Sequence, residues 1–320
     1  MGCRGSLRDN PLRPRDRELA ERIKTGLIDF ERRARPLPGI REHDRRECLC
    51  EQLLESVHRV ELVRVLRTRQ ISDRRADPHD GLFDPLKAAI LQQRRRDFEE
   101  AFWLIFMFVH FGKHARGGWR YAREVYGRLG DNPIWSWKRT SNDPAGFRDW
   151  LAAHEAKIRR PGVPGGFGNH RKYETLDARS PDGTGAVVES YVSWVVAAGS
   201  HRQLVGDAVR CAGDSPEAGF DKLYHSMRAV ARFGRLARFD YLAMLGKLEL
   251  APIKPGRPYL EGSSGPLHGA RLLFGGEGAA ASLEAAVVDL GHRLGLGMQV
   301  LEDALCNWNK SPCIFKPFRS

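Results

Sequence analysis

Long apolar runs are scarce in this chain, and so are metal-type cysteine pairs, nucleotide-loop motifs and strand-like alternation. The most apolar segment, AFWLIFMFVHFG (101–112), follows Glu99-Glu100 and is soon broken by Gly112. A bilayer span takes about 20 apolar residues, so this segment reads as a buried helix and a membrane partner is not expected. The six cysteines, Cys3, Cys48, Cys50, Cys211, Cys306 and Cys313, form no CxxC pair and no Cys/His set at zinc-finger spacing. That argues against a structural zinc site, and no metal ligand set is expected. A chain of 320 residues can bury its own core without disulfides, so reduced thiols and a cytoplasmic location are expected. The opening MGCRGSLRDNPLRPRDRE has no apolar core and is not a secretory signal, although Gly2 and Cys3 loosely fit an acylation pattern. Neither GxxxxGK[ST] nor a strand followed by GxGxxG occurs, and no nicotinamide, flavin or haem motif is found.

Positive charge is plentiful. Fifty-two Lys and Arg stand against 40 Asp and Glu, a formal net charge of +12. A surplus of that size points to a polyanionic partner, nucleic acid before membrane. Apolar residues recur mostly with a helix's period. Leu19, Ile23, Leu27 and Phe30 share one face of DRELAERIKTGLIDFERRA, with Asp16 placed as its N-cap. Leu49, Leu53, Val57 and Val60 do the same in the next helix, and NDPAGFRDWLAAHEAKI opens with Asp143 as cap and Pro144 at its first position. The fold class is therefore all-α. The sequence suggests a basic tail (1–15), an N-terminal helical lobe (16–158), a Gly/Pro/basic loop (159–185) and a C-terminal helical lobe (186–320). The loop is either a hinge or an ordered functional segment.

Four stretches could carry chemistry. HFGKHARGGWRYAREVYGR sets Lys113, Arg116 and Arg120 around Trp119, the mixture that neutralises phosphates and stacks on unpaired bases. Gly117-Gly118 before a helix would leave amides for an anion. GGFGNHRKY offers glycines for close approach, with His170, Arg171 and Lys172 for a phosphate or diphosphate. In RFGRLARFDYLAML, Asp240 lies between Phe239 and Tyr241, where it must pair, with Arg235 or Arg238, or act as a base. GSSGPLHGARLLFGG loosely resembles the turn of a helix-hairpin-helix, with His268 and Arg271 facing a DNA phosphate. Near the C-terminus, GMQVLEDALCNWNKSP buries Met298, Leu301, Leu305 and Trp308 on one face, bordered by Glu302, Cys306 and Lys310 one turn apart.

FGRLARFDYLAML, GSSGPLHGARLLFGG and LEDALCNWNK, in that order, resemble the α-glutamyl/putrescinyl thymine pyrophosphorylases, above all their third clade, found in bacteria. HFGKHARGGWRYAREVYGRLG and GGFGNHRKYETLD look like that clade's more N-terminal blocks, and the likeness runs from about RPRDRELA to the end. The ending E-x-x-x-C-x-[FW]-x-K, here Glu302, Cys306, Trp308 and Lys310, is the most distinctive piece. The resemblance implies a helical fold related to helix-hairpin-helix DNA glycosylases and a role in thymine hypermodification. The partners it implies are DNA carrying a phosphorylated 5-hydroxymethyluracil and an amine donor such as putrescine or an amino acid. A divalent metal accompanying the diphosphate is compatible with it, and no other cofactor is implied. Under this reading Asp240, Glu302, Cys306 and Lys310 border one pocket, with Glu302 as base and Lys310 on the leaving diphosphate. Cys306 is either a nucleophile or a small buried hydrophobe. A base-excision glycosylase using Asp240 and a binding protein without catalysis are the alternatives.

Overall fold

The computed structural model describes residues 14–276 and 278–318. The proposed acylation site and most of the basic tail lie outside the described residues. Those described hold fourteen α-helices and no strand, an all-α fold. No helix among them is long and apolar enough to cross a membrane.

The described residues form two compact units, one from 14–63 with 255–318 and the other from 64–254. The division differs from the lobes read in the sequence: 159–185 lies inside the second unit. Composition alone suggests a boundary there, whereas this stretch is fixed by its own packing, described below.

The first unit contains α1 (Pro14–Arg33), most of α2 (His43–Thr68), α12 (Gly265–Phe274), α13 (Ala280–Leu294) and α14 (Met298–Trp308). Ile23, Leu27 and Phe30 of α1 are buried in one core with Leu49 and Leu53 of α2 and with Leu301, Leu305 and Trp308 of α14. Asp16, expected as a cap, stands in the first turn of α1, where Oδ1 lies 3.0 Å from His58 Nε2. Helices α12 and α14 meet where side chains are small. A Cβ on Gly265 would come within 2.6 Å of Cys306 Sγ, and one on Gly269 would collide with the Leu305 carbonyl.

In the second unit α4 (Phe98–Phe111) is central, as its all-round apolarity predicts: eleven of its fourteen residues are buried. Around it in the chain come α3 (Pro85–Arg94), α5 (Arg120–Tyr126), α6 (Trp137–Asn142), α7 (Pro144–Arg159), α8 (Thr184–Val196), α9 (His201–Arg210), α10 (Pro216–Ser226) and α11 (Arg235–Lys247). Asp143 caps α7, accepting the Gly146 N–H at 2.8 Å, and Pro144 takes the first helical position. Helix α5 ends at Gly127, and Leu129 turns left-handed (φ 59°) in the short 3-10 turn that follows.

Candidate functional site

The end of α4 and the glycine-rich loop after α7 are locked together. Gly168 N–H donates to the Phe111 carbonyl at 2.7 Å, and Arg171 Nε donates to the Val109 carbonyl at 2.9 Å. A Cβ on Gly168 would lie 2.9 Å from the Gly112 backbone, and one on Gly165 would strike the Arg120 guanidinium. These glycines thus admit protein, not a phosphate. Gly117 and Gly118 have no spare amides either. Gly117 N–H donates to His114 Nδ1 and Gly118 N–H to the His114 carbonyl, each at 2.9 Å.

Several expected phosphate contacts separate on this frame. Arg120 is buried, and its guanidinium donates to Glu124 Oε2 and to the carbonyls of Ile158, Val163 and Pro164. It is a buried brace, with Glu124 one helical turn on as its counter-charge. Trp119 packs on Phe108, ring centroids 5.0 Å apart, and is half-buried. Lys113, Arg116, His170 and Lys172 are exposed. Lys172 Nζ lies 4.9 Å from the Tyr173 ring, and Tyr173 itself is 79% exposed. An aromatic ring so far out in water, flanked by cations, suits stacking on an unpaired base.

Behind this rim lies a charged cluster. Arg171, buried, reaches Asp240 Oδ2 with Nη2 at 3.1 Å, and Asp240 remains 40% exposed at its side chain. The partner of Asp240 is thus neither Arg235 nor Arg238. Glu174 N–H closes a turn on the Arg171 carbonyl at 2.9 Å. Burial pushes the Glu174 carboxyl above the usual range, although the Arg232 and Arg171 guanidinium groups oppose this. Its Oε2 is buried and is ion-paired with Arg232 Nε at 3.6 Å, longer than a good hydrogen bond. Below, His110 is fully enclosed and is pushed down to about 3 by burial and by the Arg171 charge. Thr184 Oγ1 donates to the Thr175 carbonyl and so accepts from neutral His110 Nε2–H at 3.0 Å. Glu174 is not evident from the sequence, although it stands in GGFGNHRKYETLD. Only its burial distinguishes it from a surface glutamate.

The second group of expected residues is in the first unit, so Asp240 and the α14 strip are described apart. Met298, Leu301, Leu305 and Trp308 are buried as predicted, and Trp308 Nε1 donates to the Pro312 carbonyl, packed rather than offered to a base. Glu302 is 4% exposed. Cys306, half-buried, fits against Gly265. Lys310 stands beyond the last turn of α14, exposed, its Nζ donating to Asn307 Oδ1 at 3.1 Å. The three therefore do not form one helical strip.

His268 is exposed on α12, and Arg271 Nε is buried without a hydrogen-bond partner among the described residues. The expected hairpin at 262–276 lacks its first helix, since residues 248–264 are irregular. A short helix-to-helix turn stands elsewhere in the unit. Gly295-Leu296-Gly297 joins α13 to α14, with Gly295 left-handed at φ 64° and no side chain capping α14. The sequence signal for it is GLG between two amphipathic segments. Among the described residues, no group of three or more His, Cys, Asp or Glu side chains could hold a metal ion.

The family model for alpha-glutamyl/putrescinyl thymine pyrophosphorylase, clade 3, matches residues 44–320. No curated protein and no solved structure matches the chain.

Proposed function

We infer the function from a premise and a placement: the chain belongs to the alpha-glutamyl/putrescinyl thymine pyrophosphorylase family, clade 3, and its Arg171–Asp240 and Arg232–Glu174 ion pairs accompany an exposed basic-aromatic rim. The protein is a transferase acting on modified thymine in DNA. It replaces the phosphate or diphosphate on an activated 5-hydroxymethyluracil with an amine, an amino acid or a polyamine such as putrescine.

The observation that carries this reading is the pair of carboxylates held at this loop, Asp240 by Arg171 and Glu174 by Arg232. Displacement at the 5-methylene carbon breaks its C–O bond and forms a C–N bond. The diphosphate leaves with the electron pair, and the amine gives up a proton. A carboxylate whose hold on a proton is strengthened by burial is suited to take that proton, and Glu174 is such a group. Asp240, exposed enough to meet an incoming cation, would hold the amine. Lys113, His170 and Lys172 would meet the departing diphosphate, and Tyr173 would stack on the DNA base. Arg171 keeps Asp240 oriented, and Arg232 faces Glu174. The α13–α14 turn, with an uncapped helix start, is the best placed hairpin for a DNA phosphate. Glu302, buried on α14, is less suited to meet a substrate than Glu174.

Mass spectrometry of nucleosides from DNA of cells with and without the gene tests the reading. A modified pyrimidine present only with the gene supports it. Identical nucleoside profiles, under conditions where the protein is made, oppose it.

A further inference from the structure

A cavity of about 590 Å³ opens in the second unit with none of the candidate site residues in its lining, and four arginines line it: Arg67, Arg94, Arg96 and Arg202. No carboxylate is among its lining residues; the others are Ile90, Gln93 and Phe98. Like charges so gathered repel one another, and only Arg67 has a counter-charge, which lies outside the lining.

Each arginine is held differently. Arg67 at the end of α2 is paired with Glu249 at 2.6 Å. Arg94 is fixed by the carbonyls of Arg67 and Arg69, at 2.7 and 2.6 Å, which position its guanidinium without neutralising it. Arg202, in the first turn of α9, lies over the Phe98 ring at 5.1 Å, and Arg96 follows α3. The guanidinium groups of Arg96 and Arg202 have no carboxylate partner among the described residues, although the Arg202 backbone N–H donates to Glu99 Oε1 at 3.3 Å.

Arg96 adds a second observation. It closes α3 in the left-handed conformation, φ 65°. Arg96 N–H donates to the Gln93 carbonyl at 3.0 Å and Asp97 N–H to the Gln92 carbonyl at 2.9 Å, the double bond of a Schellman turn. Glycine serves that position without strain, and arginine does not. The strained backbone delivers an unpaired cation into a cavity already rich in them.

We propose that this cavity binds a ligand carrying two or more adjacent phosphates. Planar guanidinium forks match phosphate oxygens pairwise, and several of them suit a chain of phosphates better than a single anion. Its volume lies within the range of small-ligand pockets, about 300–1,000 Å³. The phosphates belong either to a free nucleotide or polyphosphate or to the backbone of a nucleic acid. The site is independent of the reaction assigned above.

The test compares wild type with the double variant Arg96→Gly/Arg202→Ala by calorimetric titration in 0.15 M salt, using inorganic tripolyphosphate, ATP and hexathymidylate separately. Arg96→Gly relieves the left-handed strain, so the variant is expected to melt no lower than Arg202→Ala alone. Affinity for the bound ligand should fall at least about tenfold, the worth of one charge-assisted hydrogen bond. Loss for tripolyphosphate and ATP identifies a free phosphate chain, and loss for hexathymidylate alone identifies nucleic-acid backbone. Wild-type protein that binds none of the three, or a double variant that binds as wild type does, overturns the proposal.

Discussion

Arg171 and Asp240 stand 69 positions apart in sequence, yet Nη2 and Oδ2 lie 3.1 Å apart. The guanidinium is buried and anchored by Nε on the Val109 carbonyl, so the carboxylate can be changed without freeing the loop. Asp240→Asn should therefore fold. Because the carboxylate is 40% exposed, its stability cost should be that of a surface pair, about 0–1 kcal/mol. Turnover on activated DNA with an amine should drop about a hundredfold. A melting curve and a rate measured on the same preparation check both statements. Undiminished turnover would remove Asp240 from the site.

The proton acceptor can be identified by pairing two substitutions. Glu174→Gln should abolish the acid limb of the pH–rate profile and lower turnover about a hundredfold, because the lost group is a carboxylate raised above its usual range by burial. Glu302→Gln, on a side chain 4% exposed, should change stability more than rate. The opposite outcome, with Glu302→Gln inactive and Glu174→Gln active, would put the base on α14.

DNA affinity should fall steeply with salt, through exposed cations only. Replacing Lys113, Arg116 and Lys172 together with Ala should reduce the slope of log K against log salt by about 2, near 0.7–0.9 for each phosphate left without its cation. Arg120→Ala belongs to a different class. It strips four hydrogen bonds and one of the counter-charges of buried Glu124, and should cost about 3 kcal/mol of stability. Filter binding over a salt series, with thermal melts of both variants, separates the two classes.

Much of this is legible in sequence, and the remainder has particular causes. Helix α4 can be read because its apolarity has no gap, and α7 because Asp143-Pro144 is a local start signal. The α14 face follows from spacing alone. Partners across the fold cannot be read. Arg235 and Arg238 are the natural candidates for Asp240 by proximity along the chain, whereas the actual partner arrives on a loop. The glycines of 165–168 look like room for a ligand, because sequence does not show whether a Cβ would meet solvent, ligand or protein. Arg120 looks like a DNA contact for the same reason, though Glu124 at i+4 is a readable hint of its ion pair.

Stability should depend on pH through Glu100. It is buried, accepts from Tyr126 OH at 2.6 Å and from Trp137 N–H at 2.7 Å, and is pushed up from 4.5 to about 7 by burial, against those two bonds. The folded state thus holds this proton more tightly than the unfolded one. The stabilisation is fully present below about pH 4.5 and is lost as pH rises through about 7. Glu100→Gln has no such proton to lose. Its stability relative to wild type should rise across that window, by up to about 3 kcal/mol. Chemical denaturation of both proteins at pH 5, 6, 7 and 8 measures the difference. A constant difference would mean that Glu100 titrates as it does in the unfolded chain.

The reaction itself is tested most directly with DNA carrying a 5-diphosphooxymethyl-uracil, incubated with the purified protein and a mixture of putrescine and amino acids, then digested to nucleosides for mass spectrometry. The account predicts a 5-aminomethyl-type nucleoside bearing one of those amines, released diphosphate in equal amount, and a strong reduction of both with Asp240→Asn and with Glu174→Gln. Recovery of the substrate nucleoside unchanged, or loss of the base to leave abasic sites, would contradict it.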